Sequence, residues 1–308
     1  MVKVSVIIPA KNEADYLARC LNSLAKLDFP EGQFEVIVVD NGSTDLTPTI
    51  AGNFSCIFVS VPEAKTIAAV RNRGAAVATG DILVFLDADC TVSPDWLQQA
   101  KRYFSREDIA CFGSSPVIPE NPTWVEATWF LVRKSRQPVF ERDWQESTNM
   151  FVPRTTFEKV GGFNEELATC EDVDLSYRLL EHGKILSDSR IIAVHHRDPK
   201  TITTFFAKER WRGRSNYQGV LLHGVKIAEL PSLLLPLYVT GLLVFSLLLA
   251  GFSTWLPALI SLCGAELPVA ALAWTKIRND FDPVAYWRLL FLYNVYFVAR
   301  AASLLPGR

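Results

Sequence analysis

Residues 82–89 read Ile82-Leu-Val-Phe-Leu86-Asp87-Ala88-Asp89, five apolar residues followed by two acids one position apart. An unbroken apolar run of this length, with β-branched Ile82 and Val84, has the pattern of a strand buried on both faces of a parallel sheet. Alternate residues of an extended segment share a face, so the spacing predicts that Asp87 and Asp89 converge at the strand's carboxyl end. Two hard oxygen ligands with room for water suit Mg2+ or Mn2+ holding a diphosphate. Two exposed loop acids are the competing reading.

Upstream, the same strand pattern recurs at Val4–Ile8, Val36–Val39 and Ile57–Val61. Between the strands, Ala14–Leu27 carries Leu17, Leu21 and Leu24 at helical spacing, and Thr66–Thr79 is small and helical. Successive βαβ units predict an α/β domain with a doubly wound sheet over the first 228 residues, its ligands beyond the carboxyl ends of the strands. A second strand also ends in an acid, Val36-Ile-Val-Val-Asp40-Asn-Gly42-Ser43-Thr-Asp45. Turn and helix-cap chemistry favours the same residues.

Further stretches complete a pattern. Val6-Ile-Ile-Pro9-Ala-Lys-Asn-Glu13, Val38-Val-Asp40-Asn-Gly-Ser-Thr-Asp45, Arg71-Asn72-Arg-Gly74, Leu86-Asp87-Ala-Asp89 and Gly161-Gly162-Phe163-Asn-Glu-Glu, then Glu171-Asp172-Val-Asp174-Leu, follow one another in order. Over residues 4–180 the chain resembles the family 2 glycosyltransferases, inverting nucleotide-sugar enzymes of the Rossmann-like GT-A fold. The resemblance implies that Pro9, Ala10 and Glu13 border the base and ribose. It places Gly42 in the same nucleotide-binding set and has Asp40 accept a hydrogen bond from a uracil imide. Arg71 is implied at the base or the phosphates. Asp87 and Asp89 are implied as the family's D-x-D pair, with Asp89 the more direct metal ligand.

Glu171-Asp172 opens a predicted helix with Val173, Tyr177 and Leu180 on one face and Gly183 at its end. Acids in a first turn face the positive end of the helix dipole, which favours their ionised form. The family's pattern makes the second acid, Asp172, the base that takes the acceptor's hydroxyl proton. Simple capping by Glu171 or Asp172 is the alternative. His195 and His196 follow the apolar strand Ile191–Val194, so their side chains point oppositely and at most one enters the site. Related enzymes place a third metal ligand here. His196 is the preferred candidate, against purely structural roles for both histidines.

Lys+Arg 31 against Asp+Glu 33 gives a net charge of −2 over 308 residues, which excludes a globally basic nucleic-acid binder. The six cysteines form no C-x-x-C pair, so neither a zinc ribbon nor a disulfide framework is expected, and reduced thiols are. The opening apolar stretch is too short for a signal peptide. No charged residue occurs from Leu230 to Ala265. One helix of that length would extend about 54 Å, well beyond a hydrocarbon core of about 30 Å.

Two spans are therefore expected, Leu233–Phe252 and Trp255–Trp274, joined through Gly251, Ser253 and Thr254. Lys276 and Arg278 in the following loop place that loop and the large N-terminal domain in the cytosol. Val284–Leu305, interrupted by Arg288, Asn294 and Arg300, either crosses the bilayer or lies in its interface. Glu266 calls for a polar partner, Arg288 or Arg300. The expected organisation is a catalytic domain over 1–228, with 197–228 as a basic juxtamembrane segment, and a membrane domain over 229–308. The location implied is a cytoplasmic (inner) membrane.

Glu120–Glu146 interleaves Trp124, Trp129, Phe130 and Trp144 with Arg133, Lys134, Arg136 and Arg142. An interfacial helix, a lid over the acceptor and an ordinary surface excursion all fit. Arg197–Lys226 holds seven basic residues against two acids, a composition drawn to anionic lipids and lipid-linked acceptors. Within it Arg210-Trp211 is similar to the Q-x-x-R-W element of processive polysaccharide synthases, with Ala207 where the glutamine would be. That resemblance makes Arg210, with Arg212, a clamp for the donor diphosphate. The departure, and the small number of spans, argue against polymer extrusion.

The expected function is transfer of a sugar from a nucleotide donor, a UDP-sugar in the first instance, to a hydroxyl of a lipid or lipid-linked glycan. The product would belong to a cell-surface glycan or glycolipid. A polyprenyl-phosphate glycosyltransferase and a non-catalytic nucleotide-sugar-binding scaffold are the alternatives. A nucleotidyltransferase is disfavoured, because the N-terminus lacks a Gly-rich basic loop.

Overall fold

The computed structural model describes residues 2–135, 137–223 and 230–305. Arg136, Lys226 and the expected 228/229 boundary lie outside the described residues. The first half follows the predicted alternation: β1 (Val4–Ala10), α1 (Ala14–Leu24), β2 (Phe34–Asp40), α2 (Thr47–Gly52), β3 (Ile57–Ser60), α3 (Ile67–Val77) and β4 (Ile82–Leu86). Its four strands pair in parallel, in the order β3-β2-β1-β4. Alternate residues of β1 go to opposite faces. Val4, Val6 and Ile8 pack with Leu17, Leu21 and Leu24 of α1, and Ile7 packs with Ala68 and Val70 of α3.

The chain continues through β5 (Cys90–Val92), α4 (Trp96–Ala100), β6 (Ile109–Gly113), α5 (Trp124–Arg133), β7 (Val139–Glu141), β8 (Asn149–Pro153), α6 (Arg154–Lys159), α7 (Glu171–Leu179), β9 (Lys184–Asp188) and β10 (Ala193–His195). β8 inserts antiparallel between β4 and β6, β9 runs parallel to β6, and β7 closes the edge antiparallel. The eight-stranded sheet is thus mixed, a Rossmann-like GT-A arrangement. β5 and β10 form a separate antiparallel pair beyond the end of β4, with Cys90 opposite His195.

α3 lies unusually close to the sheet. A Cβ on Gly74 would sit 2.4 Å from Ile7 Cγ2 and 2.9 Å from Val39 Cγ2. The glycine is what lets the arginine and asparagine preceding it approach the strand ends. α7 buries Glu171, Asp174, Leu175 and Leu179, while Leu180 is exposed. The expected face of Val173, Tyr177 and Leu180 is therefore the outer one. The inner face carries Leu175 and Leu179, both in the core, and Glu171 on the same row pairs with the buried Arg71.

Residues 1–119 and 135–197 form one compact unit, and 120–134 with 198–308 form a second. The division differs from the expected one because α8 (Ile202–His223) packs on α11 (Pro283–Ala302). Phe205 meets Leu292, the Glu209 carboxylate accepts from Arg300 at 2.9 Å, and Gly213 sits against Ser303. α5 joins this unit: Trp129 lies 4.7 Å from the Phe205 ring and 5.5 Å from that of Tyr293.

α9 (Leu230–Gly251) and α10 (Trp255–Ile277), of mean hydropathy 2.4 and 1.7, are long and apolar enough to cross a membrane. They pair through Ser246 Oγ donating to Ala258 O at 2.8 Å and Ser261 Oγ to Leu242 O at 2.9 Å. Their outer faces expose Leu247, Phe252, Trp255 and Leu267, each at least 70% accessible, a surface that calls for apolar surroundings. Glu266 accepts from Asn294 Nδ2 at 3.1 Å. The expected arginine partners are engaged elsewhere, Arg300 by Glu209 and Arg288 over the Trp124 ring at 5.7 Å.

Candidate active site

The loops after β1 and β2 are sewn together at the strand ends. Asn12 N donates to Ser43 Oγ, Thr44 N to Asn12 Oδ1, Glu13 N to Thr47 Oγ1 and Ala14 N to Asp45 Oδ2, all within 3.1 Å. Gly42 has φ +67°, and a Cβ there would press on Pro62 at 3.0 Å, so the turn requires glycine. Ala10 pairs with Asp40 across the β1–β2 ladder, bringing Pro9 and Ala10 beside it. Asp40 is 3% exposed. Its Oδ2 accepts from Ser43 N at 3.1 Å, and its buried Oδ1 has no partner. Burying a carboxylate oxygen unsatisfied is costly, and a ligand N–H is the group that would complete it.

Asp87 and Asp89 leave β4 in a turn closed by Cys90 N donating to Asp87 O at 3.0 Å. The extended segment expected from their spacing is therefore absent, and the two acids take different neighbours. Asp87 Oδ1 accepts from Arg71 Nη2 at 2.9 Å. Asp89 Oδ1 lies 3.4 Å from His195 Nε2. One ligand atom each of Asp89, Cys90 and His195 falls within 4.8 Å of the others, close enough for a single ion. His196, the expected ligand, turns the other way and pairs through Nε2 with Thr91 Oγ1 at 2.8 Å. Pairing of β10 with β5 decides this, because it sets His195 opposite Cys90 and sends the next side chain to the far face.

Glu13 belongs to the same cluster. Burial pushes its carboxyl up to about 6, opposed by Arg197 and reinforced by the charges of Asp89 and Asp87. Its Oε1 accepts from Arg197 Nη1 at 2.6 Å, and its buried Oε2 has no partner. Three acids and a histidine facing one region, with an unsatisfied carboxylate oxygen among them, fit a divalent cation. Nothing local in the sequence singles out Arg197, which reaches Glu13 from 184 positions away.

Arg71 is the hub of the site. It is 2% exposed, with Nη1 donating to Glu171 Oε1 at 2.6 Å and Nη2 to Asp87 Oδ1 at 2.9 Å. The expected contact with base or phosphates is replaced by this bridge, because both ends of the fork are taken by acids from β4 and α7. The next residue, Asn72, holds the Gly161-Gly162-Phe163 turn, accepting from Phe163 N at 3.0 Å and donating to Phe163 O at 2.9 Å. Arg71→Ala leaves two acids without their buried cation. The expected cost is about 3–5 kcal/mol, read as a fall in the thermal midpoint of the detergent-solubilised protein. An unchanged midpoint would contradict the bridge.

Asp172 sits beside Glu171 at the start of α7, after Cys170 in the left-handed region at φ 64°. Its Oδ2 accepts weakly from Ser147 N at 3.4 Å. Burial pushes its carboxyl up to about 7, helped by the Glu171 charge and opposed by Arg71. The helix dipole alone had implied a carboxylate ionised well below neutrality, but loss of water around the group outweighs it. Glu146, paired with Arg142 at 3.1 Å, adds a further raising charge. Neither residue carries a local motif. Arg210 lies in the second unit, on α8.

The profile described as Glycosyl transferase family 2 matches residues 5–163. The chain belongs to that family. Glycosyltransferase AglE of Haloferax volcanii is 32% identical over 205 residues, covering 64% of this chain and 67% of that protein. The beta-monoglucosyldiacylglycerol synthase of a Nostoc species is 28% identical over 193 residues, 57% of this chain and 41% of its own length. This family 2 chain thus spans about two thirds of the one relative and under half of the other. Its fold matches the mannosyltransferase PcManGT of Pyrobaculum calidifontis, solved with GDP-Man and Mn2+, at a TM-score of 0.64 and 20% identity, over 100% of this chain and 88% of that one.

Proposed function

We propose that the protein is an inverting glycosyltransferase that moves a sugar from a nucleotide donor to a hydroxyl of a lipid or lipid-linked glycan at the cytosolic face of a cytoplasmic membrane. The observation that carries this reading is the Arg71 bridge, which fixes the acid at the end of β4 and the acids opening α7 in one rigid arrangement. Asp40 Oδ1, buried and unsatisfied, suits the imide N–H of uracil and so favours a UDP-sugar. Pro9, Ala10 and Gly42 shape the wall beside it. Asp89 and His195, with Cys90 and Glu13 adjacent, would hold Mg2+ or Mn2+, and Asp87 is fixed next to them. The cation supplies charge neutralisation for the departing diphosphate. The Mn2+ bound by PcManGT supports this choice.

Asp172 takes the proton from the acceptor hydroxyl as that oxygen displaces the nucleotide from the opposite face of the sugar. A base near pH 7 is matched to this task. A phosphate acceptor is already ionised and needs no base, so a carboxyl at Asp172 poised to take a proton favours a hydroxyl. Similarity to the Nostoc lipid glucosyltransferase, together with α9 and α10, supports a membrane-held acceptor. The test is a donor screen by mass spectrometry on membranes enriched in the protein, with and without EDTA. Metal-dependent consumption of one nucleotide sugar with a glycosylated lipid product is expected. Tight nucleotide binding with no turnover of any donor would favour a scaffold instead.

A further inference from the structure

We propose that Cys90 supplies a third, soft donor to the cation site, so that Zn2+ is held there by Asp89, Cys90 and His195 together and outcompetes Mn2+. The assignment rests on the cation site described above and adds a ligand to it. The Asp-x-Asp spacing points to Asp87 as the companion of Asp89. Asp87 Oδ1, however, is taken by Arg71 Nη2 at 2.9 Å, and the residue that joins Asp89 and His195 is Cys90.

Strand pairing brings the three together. Cys90 opens β5 directly opposite His195, the last residue of β10. Directly opposed residues of an antiparallel pair put their side chains on one face, with Cβ atoms about 4.5–5.5 Å apart. The Asp89 carboxylate reaches the same point: its Oδ1 lies 3.4 Å from His195 Nε2 and 3.9 Å from Cys90 Sγ. These separations carry the choice of ion. Zinc bonds of about 2.1 Å to nitrogen and oxygen and about 2.3 Å to sulfur, at tetrahedral angles, set N and O about 3.4 Å apart and S and O about 3.6 Å apart. Octahedral Mg2+ with bonds of about 2.1 Å would instead draw adjacent donors to about 3.0 Å. Three protein donors leave a fourth position for water or a diphosphate oxygen, the pattern of catalytic rather than closed structural zinc. The general order of divalent affinities already puts Zn2+ above Mn2+ at nitrogen and oxygen donors, and a soft thiolate widens that gap. The contribution of sulfur is therefore what an experiment must isolate.

The test is an optical titration of the EDTA-stripped, detergent-solubilised full chain with Co2+ as a spectroscopic stand-in for Zn2+, followed by Zn2+ competition, with no nucleotide or acceptor present. A sulfur-to-cobalt charge-transfer band is expected, together with the intense visible bands of tetrahedral Co2+, and stoichiometric Zn2+ should abolish both. Cys90→Ser and Cys90→Ala should lack the charge-transfer band. Each should bind Zn2+ on the order of a hundredfold more weakly, the upper end of what loss of even a supporting residue costs a metal site. Mn2+ affinity, read by paramagnetic resonance of the free ion, should change far less in both variants, which also reports that they are folded. Cys20→Ser, at a sulfur 3.9 Å from Asp87 O and outside the trio, should keep the band. A band surviving in both Cys90 variants, or equal losses of Zn2+ and Mn2+ affinity in them, would overturn the assignment. Mn2+ binding by the wild type with no sulfur band from Co2+ would overturn the role of Cys90 alone. Failure of the wild type to bind either ion would overturn the cation site itself.

Discussion

Exchange of Asp172 for asparagine is expected to cut sugar transfer by about a hundred- to ten-thousand-fold, the range that a positioned general base contributes. Nucleotide affinity, read by UDP titration, should change little, because the Asp40 loop and the metal cluster are built from other elements. Asparagine preserves the shape and the contact with Ser147 N while removing the proton acceptor. In the wild type the carboxyl sits near 7, raised by burial, so kcat/KM should rise with pH and level off above that value. The variant's residual rate should lack this limb.

Stability runs the other way. A carboxyl raised on folding stabilises the native state while it is protonated, and that contribution is lost as pH climbs from its unfolded value through about 7. The asparagine variant should therefore gain in thermal midpoint over the wild type as pH rises from about 4 to 7. Near-normal turnover in this variant would remove Asp172 from the reaction.

The second large effect is at the acid and histidine below the β4 turn. Asp89→Asn, or chelation by EDTA, is expected to lower turnover on the order of a thousandfold, since a Lewis acid at a leaving diphosphate supplies several kcal/mol. Added Mn2+ should restore the chelated enzyme fully and the variant only in part. His195→Ala should behave like Asp89→Asn. His196→Ala should cost far less, because that ring bonds Thr91 on the other face. Comparable losses at the two histidines would undo the assignment drawn from the β5–β10 register.

The first four strands were legible because each is a short apolar run ending at a loop, a property of neighbouring residues alone. The acids at their ends were legible for the same reason. What sequence reading missed depends on contacts between distant residues. Strand alternation does not describe the backbone at Asp87 and Asp89, since a local hydrogen bond from Cys90 N turns the chain immediately after β4. The choice of histidine needed the register of two short strands about a hundred residues apart, which no pattern within either strand specifies. Arg71 looked like a ligand-facing cation because its partners, Asp87 and Glu171, lie 16 and 100 positions away.

The same limit applies to the units. α5 has a complete capping box between Thr123 and Glu126, a local signal within the stretch whose sequence fitted a helix, a lid and a surface excursion alike. Its membership of the second unit is set by Trp129 packing on Phe205 and Tyr293, which lie far along the chain. Burial likewise reversed the expectation for Asp172, because the dipole of a helix is visible in sequence and the solvent around its first turn is not.

The most direct measurement is anomalous X-ray scattering from crystals of the protein soaked with Mn2+ and UDP. A manganese peak is expected at coordinating distance, about 2.0–2.2 Å, from both an Asp89 carboxylate oxygen and His195 Nε2, with the uracil ring against Asp40. A peak bound to His196, or UDP in place with no manganese at Asp89, would contradict the account.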